Sequence, residues 1–173
     1  MKNPLIKVPL KYGTIGAFVM IVLFMVIYLL GDNPLFAENV IDKVLLALFL
    51  FSAIREFRDV HNGKIMFFWE GMTVGFFCYI VIASIVGLFT WMFLEYYDCN
   101  LLADFVTNAL KSADSEKAET IKDVGQESYD EMIRSISATT TIKISFEAFL
   151  QKTVFGLLFT IILSMILRTK PKN

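Results

Sequence analysis

The feature that most constrains this chain is the stretch "GTIGAFVMIVLFMVIYLL", Gly13 to Leu30, eighteen consecutive residues without a formal charge. At ~1.5 Å of rise per residue such a helix is ~27 Å long, close to the ~30 Å hydrocarbon core of a bilayer. Further apolar runs follow, and the charged residues gather in blocks between them rather than spreading evenly. With 56% hydrophobic residues over 173 positions, the chain reads as an integral membrane protein, all-α in class. Lys2, Lys7 and Lys11 precede the first run. That run is longer than a signal-peptide apolar region and no small-residue cleavage pattern follows it, so it reads as a retained span.

The sequence predicts four transmembrane helices, at about residues 13–30, 40–57, 67–93 and 149–167, in a single membrane domain covering 1–173. "GDNP" (Gly31 to Pro34) marks the turn after the first. The second rests on only eleven uncharged residues, Val44 to Ile54, extended by Val40, Ile41 and Phe57, with Asp42, Lys43 and Arg55 expected to snorkel. A buried or re-entrant helix is its competing reading. The third is framed by Trp69 at one end and by Trp91, Tyr96 and Tyr97 at the other, as interfacial aromatics. The fourth ends in "RTKPKN", with Arg168, Lys170 and Lys172.

Basic residues set the expected orientation. The N-terminal flank, the turn carrying Arg55, Arg58 and Lys64, and the C-terminal tail fall on one side of a four-span chain, and all three are basic. The long segment from Glu95 to Lys152 has 11 acidic against 6 basic residues. Both termini are therefore expected in the cytoplasm, with localisation in a bacterial inner membrane. Within 98–145, the residues Leu101, Leu102, Phe105, Val106, Ala109 and Leu110 share a helical face, Gly125 interrupts, and Tyr129, Met132, Ile133 and Ile136 repeat the pattern. This predicts an extracytoplasmic amphipathic helical hairpin, or two short helices, before the β-branched run "TTTIKI".

The net charge of −1 gives no reason to expect a nucleic acid partner; membrane lipids are the expected surroundings. Cys78 and Cys99 would stand ~30 Å apart along one helix, so both read as free thiols. With one His and no CxxC, neither a metal nor a cofactor is expected. Nor is an enzyme: there is no Ser/His/Asp set, HExxH, phosphate loop or intramembrane aspartate pair.

The richest stretch for chemistry is "AIREFRDVHNGKIMFFWEGMTVG", Ala53 to Gly75. Arg55 and Asp59, four apart, can pair on one helix face. Arg58, His61 and Lys64 would face anionic headgroups, and Asn62-Gly63 has turn chemistry. Glu70, an ionisable group near the start of the third span, reads either as an ion or proton site or as a cap that meets Arg55 or Arg58. Gly71, Gly75, Ala83 and Gly87 recur at multiples of four, interrupted by Tyr79, and form a small-residue stripe for close helix approach. The sequence leaves open whether the stripe meets the first span, through Gly13, Gly16 and Ala17, or another protomer.

The run "IREFRD", the Asn-Gly turn, "GKIMFFWEGMTVGF" and then "IASIVGLFTWMFLEYYDCNLLADFVTNAL" resembles the DUF4199 family, small four-helix membrane proteins largely of Bacteroidota. The resemblance covers essentially the whole chain and implies its architecture. It implies no activity. The resulting expectation is a structural or interaction component of a membrane assembly, with protein partners or a homo-oligomer. The alternative is a homo-oligomeric channel or small-solute transporter. Glu70, Arg55, Arg58, Gly71 and Gly75 are the candidate functional or packing residues.

Overall fold

A computed structural model describes residues 4–169, without the side chains of 37–39; Lys2, Lys170 and Lys172, used above for orientation, lie outside the described residues. All regular structure among the described residues is helical. The elements are α1 (Pro4–Leu29), α2 (Pro34–Glu56), a π turn (Phe57–His61), α3 (Phe68–Met92), a second π turn (Phe93–Tyr97), α4 (Asn100–Ser115), α5 (Lys117–Val124), α6 (Gln126–Ser137) and α7 (Thr141–Leu167). The chain forms two compact units, one from the residues up to Phe89 together with those from Glu147 onward, the other Thr90–Phe146.

Among the described residues three helices, not the four expected, are long and apolar enough to cross a membrane: α1, α3 with its π turn (Phe68–Tyr97), and α7. The correction concerns α2. Its 23 residues would reach across, but Asp42 and Lys43 near one end and Arg55 and Glu56 at the other leave only the eleven uncharged residues noted above. Eleven residues of helix cover ~16 Å, about half of the ~30 Å core. The start of α2 is sharp. Asn33 is its N-cap, accepting from the Leu35 N–H at 3.0 Å, and Pro34 occupies the first turn, where its missing donor costs nothing.

In the first unit, α1 and α2 pack along one another over a core that includes Ala17, Met20, Leu46, Leu50 and Ile54, continued by Val74, Cys78 and Ile82 of α3. Gly13 and Gly16 let α1 approach closely. A Cβ at Gly13 would stand 2.9 Å from the Val81 side chain, and one at Gly16 would stand 3.0 Å from Phe49 and 3.1 Å from Ile82. The stripe on α3 faces α7. A Cβ at Gly71 would lie 2.8 Å from Ser164 Oγ, one at Gly75 would collide with Thr160, and one at Gly156 would lie 2.6 Å from the Tyr79 side chain. The contacts run 71 to 164, 75 to 160 and 79 to 156. They form an antiparallel ladder with a step of four residues on each helix, so Tyr79, which interrupts the stripe, fills the space opposite Gly156.

In the second unit the expected hairpin or pair of helices is three short helices, with α6 packed against both α4 and α5. Gly125, at φ +86°, separates α5 from α6. Leu101, Ala113 and Tyr129 are buried, and the Tyr129 hydroxyl donates to the Ala113 carbonyl at 3.5 Å. Asp98 Oδ1 accepts from the N–H groups of Asn100 and Leu101 and so opens α4.

The ladder makes a direct prediction. Gly75→Val should destabilise the protein by ~1–3 kcal/mol through overpacking against Thr160. Thermal unfolding in detergent should show a lowered Tm, partly recovered when Thr160→Ala is added. An unchanged Tm in the single variant would contradict the close approach.

Candidate functional site

The charged turn after α2 is built from local geometry. The π turn Phe57–His61 widens the end of α2 and displays Arg58, Asp59 and His61 together. The chain then reverses through Gly63 at φ +60° and Lys64 at φ +66°, with the Lys64 N–H donating to the Arg58 carbonyl at 2.9 Å. The left-handed positions are therefore Gly63 and Lys64. Asn62, expected to tolerate positive φ, has φ −124°. Its side chain serves instead, donating to the Ile65 carbonyl at 2.7 Å and to Glu70 Oε2 at 2.9 Å.

Glu70 is the third residue of α3, and its Oε2 also accepts from the Phe67 N–H at 2.8 Å. This is the reach-back half of a capping box, satisfying a donor that the first turn of a helix leaves open. Phe67 has no side-chain acceptor to complete the other half. The carboxylate also sits near the positive end of the helix, where it is favoured.

A second carboxylate, Glu56, collects partners from α1. Lys11 Nζ donates to Oε1 at 2.8 Å and to Oε2 at 2.6 Å, and the Tyr12 hydroxyl donates to Oε2 at 2.7 Å. His61 Nε2 stands 3.9 Å from Oε1. The Lys11 bond, followed by the Tyr12 bond, holds the Glu56 carboxyl below the usual carboxylate range. Asp59 is likewise lowered, first by the Arg58 hydrogen bond. Arg58 Nε meets it at 2.7 Å and Arg55 Nε at 3.5 Å, the latter being the i, i+4 pair read from the spacing. Arg58 Nη1 further donates to the Leu167 carbonyl at 3.5 Å, and the Thr169 N–H donates to the Met66 carbonyl at 2.9 Å. The end of α7 is thereby tied to the link between α2 and α3.

The expected residues thus separate. Arg55 and Arg58 converge on Asp59, and neither forms an ion pair with Glu70. Gly71 and Gly75 leave the turn altogether and pack against α7. What remains is an open cleft lined by Tyr12, Phe51, Ser52, Arg55, Glu56, Asp59 and Val60, with cations and carboxylates already engaged with one another. Such an arrangement holds helix ends together: the two carboxylates of the cleft, Glu56 and Asp59, and Glu70 outside it each have at least two donors or cations on them. Among the described residues, His, Cys, Asp and Glu side chains form no group able to hold a metal ion.

Two charged residues, one just inside the predicted fourth span and one expected to snorkel, are buried. Lys152, counted above with the outer segment, has a side chain only 5% exposed; Asp42, expected to snorkel, has one 11% exposed, and the two meet at 2.7 Å. Lys43 does not simply reach outward either, since its ammonium lies 4.5 Å from the centre of the Phe155 ring. The only sequence signal for this pair was a lone lysine just inside the last apolar run.

The family model for a protein of unknown function, DUF4199, matches residues 11–169, and the chain belongs to that family. No curated protein and no solved structure matches it.

Two outcomes follow from the hydrogen bonds. Glu70→Ala should cost ~0.5–2 kcal/mol as a lost cap, whereas Glu70→Gln, which keeps an acceptor, should cost less; the comparison is made by thermal unfolding. Because the folded Glu56 carboxyl lies below its ordinary range, its contribution to stability is present above that range. It is lost as pH falls through the lowered folded value. Stability should therefore drop on acidification in that window, and Glu56→Gln should flatten the drop. An equally steep drop in the variant would assign the effect to other carboxylates such as Asp59.

Proposed function

We propose that the chain is an integral membrane protein of a bacterial inner membrane with a structural or interaction role in a larger membrane assembly and no catalytic turnover of its own. The observation that carries this reading is the use made of Glu70. It is an ionisable residue in the first turn of a candidate span, and its Oε2 bonds the Phe67 N–H and Asn62. Tyr79, a polar side chain midway along α3, is 3% exposed and packs against Gly156. Both observations weigh against the channel alternative, because a conducting site needs groups free to exchange partners.

Orientation belongs to the same proposal. Lys11, Glu56, Arg58, Met66, Leu167 and Thr169 are linked by hydrogen bonds within the first unit, so the start of α1, the α2–α3 link and the end of α7 share one end of it. That end carries Lys7, Lys11, Arg55, Arg58, Lys64 and Arg168. The excess of Lys and Arg supports placing it in the cytoplasm.

Purification in nanodiscs followed by mass spectrometry and sizing should give reproducible stoichiometric protein partners. A lone homo-oligomer, with solute flux in proteoliposomes that Glu70→Gln abolishes, would replace this reading by the channel. Orientation has a separate test. With Cys78 replaced, Cys99, exposed just beyond the end of α3, should react with an impermeant maleimide added outside cells with a permeabilised outer membrane. Reaction only from the cytoplasmic side would reverse the assignment.

A further inference from the structure

The cleft beside the charged turn has walls from α1 and α2, a volume of about 330 Å³, and one cation that its carboxylates do not consume. Lys11 stands on Glu56, and Arg55 and Arg58 stand on Asp59, so three positive charges meet two negative ones and one is left over. The surplus falls to Arg55. Arg58 meets Asp59 at 2.7 Å with a side chain 24% exposed, whereas Arg55 reaches it only through Nε at 3.5 Å and is 60% exposed. Among the described residues the two terminal nitrogens of Arg55 have no protein partner. Its guanidinium carbon lies 5.8 Å from the centre of the Phe51 ring, a wall for the planar group to rest on. A guanidinium held in this way presents a fork of donors suited to a phosphate.

Depth and surroundings distinguish which phosphate. Tyr12, a wall of the cleft, immediately precedes Gly13, where the uncharged run of α1 starts. The cleft therefore stands at the border between hydrocarbon and headgroups, the usual level of an interfacial tyrosine. On α2, Leu48 and Val44 lie below the cleft residue Ser52 at steps of four, and on α1 Ile15 lies three residues beyond Tyr12; all three are exposed. A charged cleft thus heads uncovered apolar helix faces, which matches a phospholipid: an anionic ester above and acyl chains below. A soluble phosphate would use the fork and leave those faces bare.

Charge restricts the headgroup further. Glu56 and Asp59 are both engaged by cations, so the ammonium of a zwitterionic headgroup finds no free carboxylate, and one surplus positive charge matches one net negative charge. We propose that this cleft is a binding site for a glycerophospholipid of single negative charge, with its phosphate on Arg55 and its acyl chains along the exposed faces of α1 and α2. The site rests on the membrane placement proposed above and not on the role in an assembly, so the presence or absence of stoichiometric protein partners leaves it unaffected.

The full chain in detergent, titrated with dioleoyl phosphatidylglycerol and read by native mass spectrometry, should retain one lipid, and phosphatidylethanolamine with the same acyl chains should bind more weakly. Arg55→Gln should weaken phosphatidylglycerol binding by about fivefold or more through loss of a charge-assisted contact. Ser52→Trp, which fills the cleft without altering charge, should weaken it as well. Arg168→Gln, which removes a positive charge at the same end but outside the cleft, should change it by less than about twofold. Undiminished binding by Arg55→Gln or Ser52→Trp, equal weakening by Arg168→Gln, or equal affinity for phosphatidylethanolamine would overturn the proposal. Displacement of the lipid by glycerol phosphate at equal concentration would assign the fork to a soluble phosphate ester and overturn the lipid.

Discussion

The rest of the first unit depends on the close approach of α3 to α7 at Gly71, Gly75 and Gly156. In a bilayer there is no water to expel from between two apolar helices, so association relies on packing and on polar contacts. Glycine brings two backbones near enough for dispersion to accumulate over the whole contact, and each missing Cβ here is replaced by a side chain from the opposite helix. Thr160 and Ser164 are fully buried in that contact, with hydroxyl oxygens that have no hydrogen-bond partner. They face glycine Cα–H groups, weak donors that help account for hydroxyls in so tight a place. A bulkier pair on either helix would separate α3 from α7 and disturb Met66, which packs at Gly71 and whose carbonyl receives the Thr169 N–H.

With α3 and α7 fixed, the charged turn becomes the place where four chain segments are tied. Arg58 joins the π turn to the end of α7, Glu56 joins α2 to α1, and Glu70 closes the link onto the start of α3. The Lys11–Glu56 pair is partly exposed, and an exposed pair contributes little by itself. Its effect here is larger than that of a lone surface bridge because Glu56 receives two hydrogen bonds from Lys11 and one from Tyr12 at once. Charge in this turn organises helix ends, which is also why an abundance of ionisable groups there need not signal chemistry.

The local features were legible in the sequence because their causes are local. Glu70 three residues into a helix, Arg55 four before Asp59, the turn at Gly31 to Pro34 and Gly125 as a break are set by spacing alone. Helix ends were less so. α1 already includes residues 4–12, well before the uncharged run, because residues such as Lys7 and Lys11 are sound helix formers. α7 begins at Thr141, within the β-branched run, whose propensity penalty is only a few tenths of a kcal/mol per residue. Contacts that join distant segments, such as Lys11 with Glu56 or Asp42 with Lys152, have no local cause and could not be read. The shared period of four in Gly71-Gly75-Tyr79 and Gly156-Thr160-Ser164 was present in the sequence, but periodicity does not say which two helices meet.

The status of α2 shows how pairing alters what a sequence scale can decide. Hydropathy treats each residue as if it entered lipid alone, and on that basis Asp42, Lys43, Arg55 and Glu56 together count against the helix. Inside a bundle the relevant quantity is the energy of the pair. Two opposite charges that satisfy one another lose much less on leaving water than the sum of two isolated ones. A buried ion pair gives little net stability over an apolar pair of the same size, yet it tolerates few alternative registers. Sliding α2 by one turn past α7 would move Asp42 ~5.4 Å from Lys152 and also lift Lys43 from the Phe155 ring. The gain is therefore in specificity: a helix too polar to choose its place by hydrophobicity has one position along α7 at which its charges are matched.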